Sequence, residues 1–179
     1  MGTRQFFEVN SIKPMYKITA SLLFIFAFFI NSFAQQPEKL NASQIHDAVQ
    51  KLNFLGSVLY VAAHPDDENT RLISYMSNQE KARTAYLSLT RGDGGQNLIG
   101  PEIRELLGVI RTQELLAARK TDGGEQRFTR ANDFGYSKHP DETLAIWNKE
   151  QVLSDVVLAI RQFKPDIIIN RFNHRNPGS

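Results

Sequence analysis

Val58-Leu59-Tyr60-Val61-Ala62-Ala63-His64-Pro65-Asp66-Asp67-Glu68 runs from an unbroken apolar segment straight into one histidine and three carboxylates. The apolar part reads as a buried β-strand, with small alanines just before its end. The acidic cluster then lies at the strand's carboxyl end, where open α/β sheets place their ligands. Asp66, Asp67 and Glu68 repel one another and lose hydration together unless something positive joins them. A divalent metal ion is the simplest such partner.

Working outward, Ala42 to Leu52 has apolar residues at helical spacing (Ile45, Val49, Leu52), with His46 on the solvent side. Gly56 and Ser57 punctuate the start of the first strand. Beyond Glu68, Asn69 to Asn78 predicts a short helix packing Leu72, Ile73 and Met76, with Asp66 and Asp67 in its N-terminal turn. Arg83 to Thr90 predicts a second strand. It ends in Thr90-Arg91-Gly92-Asp93-Gly94-Gly95-Gln96-Asn97, whose glycines let backbone approach a ligand closely. This loop has neither the spacing of a dinucleotide site nor the lysine of a P-loop. It is expected to wall a pocket beside His64, and its Arg-Gly-Asp tripeptide is a coincidence.

Pro101 to Lys120 predicts the clearest helix, with Pro101 in its first turn and a stop at Asp122-Gly123-Gly124. Arg111 and Glu114 are spaced for a surface ion pair on it. Glu125 to Lys149 is aromatic-rich and has no clean period. Its His139-Pro140-Asp141-Glu142 repeats the first motif only superficially and predicts a polar loop ahead of a helix. Lys149 to Phe163 predicts an amphipathic helix, and Asp166 to Asn170 a third strand continuing to Arg171-Phe172. Strands alternating with helices predict an α/β fold, a Rossmann-like parallel sheet with helices on both faces. Right-handed crossovers then bring His64 to Glu68, Thr90 to Asn97 and Asn170 to His174 to one edge.

Composition narrows the chemistry. The 179 residues include 21 basic and 19 acidic ones, a net charge of +2, so nothing calls for nucleic acid. The absence of cysteine excludes disulfides and thiolate metal sites, which leaves His, Asp and Glu as ligands. Arg4, Lys13 and Lys17 precede the apolar run Leu22 to Ile30, and Ser32-Phe33-Ala34 follows. This is the layout of a secretory signal peptide over residues 1–34, cleaved near Ala34, and it predicts a secreted or periplasmic protein. The apolar run is short for a membrane span, so no stable span is expected after cleavage. An uncleaved anchor, or a start at Met15, is the alternative. Residues 35–55 are expected to be linker and helix.

A histidine and an aspartate at the end of one strand can share a metal if the chain turns sharply. Pro65 favours that turn by fixing its own φ and holding His64 extended. Of two adjacent aspartates, one can bind metal while the other faces the open coordination position and takes a proton from water. Zinc makes such water acidic enough to react at neutral pH. The reaction class is metal-assisted hydrolysis of an amide or ester.

Ala63-His64-Pro65-Asp66-Asp67-Glu68 after an apolar strand resembles the signature of the PIG-L (LmbE-like) zinc N-deacetylases. The resemblance extends to the Thr90 to Gly95 loop, the helix with Arg111, Glu114 and Ala118, and Lys164-Pro165-Asp166 before a strand, and it covers about residues 56–175. It implies a deacetylase domain over residues 56–179 that removes acetyl from N-acetylglucosamine-type groups, with an acetamido sugar or glycoconjugate as substrate. It also implies His64 and Asp67 as Zn2+ ligands, Asp66 as general base, Arg111 as a substrate contact and Glu68 as a brace for the loop. The sequence departs from the family at the third ligand, a histidine expected in an H-x-x-H-like segment after the last strand. His174 stands in Asn173-His174-Arg175-Asn176-Pro177, which does not match. The C-terminal part of the domain is therefore expected to be missing from this sequence. An inactive fragment, or a non-catalytic carbohydrate-binding or scaffolding domain, is the alternative reading, and another amidase on the same scaffold a third.

Overall fold

The computed structural model describes residues 39–173 and Ser21. The expected signal sequence (apart from Ser21) and His174 lie outside the described residues. The chain divides into two compact units, Met1–Ser43 and Gln44–Ser179. Among the described residues no helix is long and apolar enough to cross a membrane.

A four-stranded parallel sheet organises the second unit, in the order β3-β2-β1-β4. The strands are β1 (Ser57–Ala62), β2 (Arg83–Ser88), β3 (Glu125–Phe128) and β4 (Ile167–Asn170). β1 sits inside the sheet, pairing Val58 with Thr84 on one side and with Ile167 on the other. Its near-continuous apolar run is what a strand covered on both faces requires. Alternation sends Leu59, Ala85 and Leu87 to one face, against Ala159 and Phe163 of α5 (Lys149–Phe163). Tyr60, Ala62 and Tyr86 go to the other, against Ile73 of α2 (Thr70–Ser74) and Leu115 of α3 (Glu105–Asp122). The expected parallel sheet with helices on both faces is present. A helix α1 (Ala42–Lys51) precedes it, with its apolar Ile45 and Val49 exposed and His46 in solvent.

Four local expectations are corrected. β3 forms where no strand was read, because Glu-Gln-Arg-Phe shows no apolar alternation. As an edge strand it is only half-buried, and it is held by main-chain pairing to β2 and by Arg83, whose guanidinium reaches both carboxylate oxygens of Glu125 (2.7 and 3.2 Å). The helix after the acidic cluster begins where expected, but Asp66 and Asp67 precede its first turn rather than lie in it. Asn69, not an aspartate, caps it by accepting from the Leu72 N–H (3.1 Å), and it passes into a π-helical turn over Tyr75–Gln79. α3 begins at Glu105, leaving Pro101 outside and Ile103 and Leu106 exposed. Finally, His139-Pro140-Asp141-Glu142 is no loop: His139 precedes α4 (Pro140–Trp147), with proline and two acids in its first turn.

Candidate active site

The site begins where β1 ends. The Ala63 carbonyl accepts from both the backbone N–H (2.9 Å) and the hydroxyl (3.0 Å) of Thr90, which locks the exits of β1 and β2 together. The carbonyl of His64 accepts from the phenol of Tyr86, a buried hydroxyl whose pKa burial pushes up. The chain then turns back on itself. The His64 N–H donates to Asp67 Oδ2 (2.9 Å), and the Asp67 N–H to the His64 carbonyl (3.3 Å).

Asp66 stands at the apex of this turn with φ +86°, a left-handed conformation that side chains rarely adopt. Two neighbours hold it there. Its N–H donates to Glu68 Oε2 (2.9 Å), and Arg111 Nη2 donates to Asp66 Oδ2 (2.9 Å) and to the Pro65 carbonyl (3.1 Å). The Asp66 carboxylate is still 76% exposed. Glu68 is anchored from beneath by Arg119 (3.2 Å), which also binds Asp122 (2.6 Å) and lies over the Tyr86 ring. This acid–arginine–acid group is buried, with side chains 3–7% exposed.

His64 lies between two carboxylates. Its Nδ1 is 3.3 Å from Asp67 Oδ2, and its Nε2 is 3.6 Å from Asp133 Oδ1, an ion-pair distance rather than a hydrogen bond. Asp133 first and Asp67 second push the imidazole pKa up to about 10. Burial raises both carboxyls, but the histidine outweighs it and holds each below its ordinary range. The turn thus stabilises positive charge at His64. Imidazole nitrogen and carboxylate oxygen are also donors that zinc accepts. Their 3.3 Å separation is close to that of two ligands at about 2.0–2.1 Å on a tetrahedral ion. Two donor atoms of suitable type thus stand together, while among the described residues no cluster of three His, Asp or Glu side chains could hold a metal ion.

A cavity of about 620 Å³ opens over this turn. His64, Asp66 and Arg111 line it together with Gly92, Gly95, Gln96 and Asn97 of the glycine loop, as expected of that loop. Gly92 takes φ +71°, and a Cβ on Gly94 would stand 2.4 Å from the Asp133 carbonyl oxygen, so the loop packs directly on the backbone at Asp133. The expected Arg111–Glu114 pair is present at 2.9 Å, on the rim. Asp67 sits behind His64 and away from the cavity lining. Sequence reasoning missed Asp133. No periodicity marks its segment, and only the fold brings it to His64, some seventy positions away. His139 lies outside this cavity, on the wall of a second one of about 450 Å³ that also takes in His64 and Asp133.

Two solved structures are similar to part of this chain at low identity. One is GalB, the 4-carboxy-2-hydroxymuconate hydratase from Pseudomonas putida KT2440, at 18% identity and TM-score 0.49, over 64% of this chain and 46% of that one. The other is a triple mutant of a deacetylase involved in the teicoplanin biosynthetic pathway, at 16% identity and TM-score 0.44, over 64% of this chain and 50% of that one. The matches take in about half the length of either. No curated protein matches the chain. The GlcNAc-PI de-N-acetylase (PIG-L) family model matches residues 59–177, from inside β1 through the acidic turn, the glycine loop and β4, and the chain belongs to that family.

Proposed function

We propose that this chain carries the site of a zinc-dependent hydrolase that removes the N-acetyl group from an N-acetylglucosamine-type substrate. Family membership supports a deacetylase- or hydrolase-like activity. The observation that carries the reading is the placement of His64, Asp66 and Arg111 around one cavity at the carboxyl edge of β1, with Asp67 closing the turn against His64.

His64 and Asp67 would hold the ion. When bound, it polarises the amide carbonyl and makes water acidic enough to react near neutral pH. The remaining work falls to this chain's own groups. Asp66, exposed to the cavity at the apex of the turn, accepts the proton of the attacking water and returns it to the leaving amine. Arg111 aims the Asp66 carboxylate through its 2.9 Å contact and offers N–H donors to sugar hydroxyls. Gln96 and Asn97 add further polar contacts from the glycine loop.

Metal analysis together with amine release from an N-acetylglucosamine conjugate tests the proposal. The protein is expected to take up zinc, and His64→Ala or Asp67→Ala to lose it; stoichiometric metal surviving both substitutions sinks the assignment. Asp66→Ala should keep its metal and lose about 10²–10⁴-fold in kcat, the usual worth of a general base. Unchanged turnover would remove Asp66 from that role.

A further inference from the structure

The second cavity is walled by aromatic rings, which the first lacks. Phe134, Tyr136, Leu144, Trp147 and Phe172 supply much of its wall. Phe134 and Trp147 meet edge to face, with ring centroids 6.1 Å apart, and the indole N–H donates to the Asn132 carbonyl (2.8 Å). Two of these rings are thus held in place, by each other and by the Asn132 carbonyl. The two cavities meet at His64, Asp133 and Gly135, which line both. On one side of this junction stand Gln96, Asn97, Arg111 and Glu114, which can bond hydroxyls, beside the aliphatic Leu98, Ile99, Leu107 and Ile110. On the other stand aromatic rings, matched to hydrocarbon.

An amide cleaved at the junction has two substituents, the amine-bearing sugar and the acyl group. We infer that the sugar occupies the first cavity, with its hydrogen-bonding side chains, and the acyl chain enters the aromatic one, so that the site takes N-acyl glucosamines with chains longer than acetyl. This rests on the hydrolase reading above. A cavity of about 450 Å³ lies in the size range of whole ligand sites and far exceeds what a methyl group fills. An acetyl group would leave the rings in water, whereas each methylene added to the chain buries apolar surface against them.

Trp147 is the protein's single tryptophan and lies in the cavity wall, so its fluorescence reports occupancy without turnover. The experiment titrates the zinc-supplied protein with N-acetyl-, N-butyryl-, N-hexanoyl- and N-octanoylglucosamine, and assays amine release from each in parallel. Affinity is expected to rise about fourfold for each methylene buried, until the cavity is full, with a Trp147 blue shift that the acetyl compound does not produce. Tyr136→Ala and Phe172→Ala, both at exposed positions where folding is little at risk, should flatten the dependence on chain length. Affinity independent of chain length, or a rise with no Trp147 response and no effect of either substitution, overturns the assignment. Hydrolysis of the acetyl compound with no gain for longer chains would likewise reject the acyl cavity while leaving the hydrolase reading intact. Chain-length-dependent binding without amine release from any compound would support the cavity and count against the hydrolase.

Discussion

Asp66 is the residue at which local conformation and proposed chemistry meet. Its positive φ costs on the order of 1–2 kcal/mol for a residue with a side chain, and such strain persists where surrounding contacts over-determine it. Here those contacts are Arg111 above and Glu68 below. Arg111 therefore holds the carboxylate proposed as base. Arg111→Ala removes charge-assisted hydrogen bonds worth about 1.5–3 kcal/mol, so kcat/KM should fall by about 10–100-fold while zinc content stays constant. A fall carried by kcat identifies the aiming role, and one carried by KM identifies sugar binding. Steady-state kinetics with metal analysis separates the two. His64, Asp66 and Asp67 stood out by residue type and spacing, and Arg111 only through the family resemblance. Asp133 did not, because a carboxylate in an aperiodic segment carries no local mark of its partner.

At the scale of elements, the acidic turn is braced by α3 through Arg119. That guanidinium joins Glu68 and Asp122 out of reach of water. Removing one member of such a group strands charge in the interior, so Arg119→Ala should destabilise the fold by about 3–5 kcal/mol, measured as a shift of the urea midpoint. The other fastening is at the opposite end of β1, where the Ser57 N–H and hydroxyl both donate to Asp166 Oδ2 (2.8 Å each) and tie β4 to β1. Those bonds hold the Asp166 carboxyl below its ordinary range. A lowered folded-state pKa adds stability above the unfolded value of about 3.9, and that stability is lost as pH falls through the folded value. Asp166→Asn should therefore lower the unfolding midpoint at pH 6 and narrow its gap to the parent protein as pH drops below 4, as followed by thermal denaturation. β1, β2 and α5 announce themselves in the sequence because each buries one or both faces, and β4 by its isoleucine run, although Ile167 and Ile168 stand exposed. β3 does not: its pairing depends on a free edge of β2, and neighbouring backbone leaves no trace in the side chains of Glu125 to Phe128.

For the molecule as a whole, the decisive contact is between two loops distant in sequence. Gly94 lets the glycine loop lie against the backbone at Asp133 and Phe134. Gly94→Ala would place a methyl group within 2.4–2.7 Å of that backbone, which cannot yield as a flexible side chain can. About 1–3 kcal/mol of stability should be lost, with weakened ligand binding in both cavities, because Asp133 and Gly135 line each of them. Calorimetry and Trp147 fluorescence would register the two effects separately. A normal midpoint in this variant would mean that the loops do not depend on each other.

By itself the sequence determined the parallel α/β sheet, the position of the acidic turn at its carboxyl edge and the family, because an apolar strand running into His-Pro-Asp-Asp-Glu reports burial and charge over a few adjacent residues. Only the tertiary structure decided that Asp133 faces His64, that Arg111 reaches the exposed Asp66 carboxylate, that β3 closes one side of the sheet, and that two cavities meet at one imidazole. Each of these joins residues tens of positions apart through packing and unpaired backbone, and neither leaves a periodic signal in the chain.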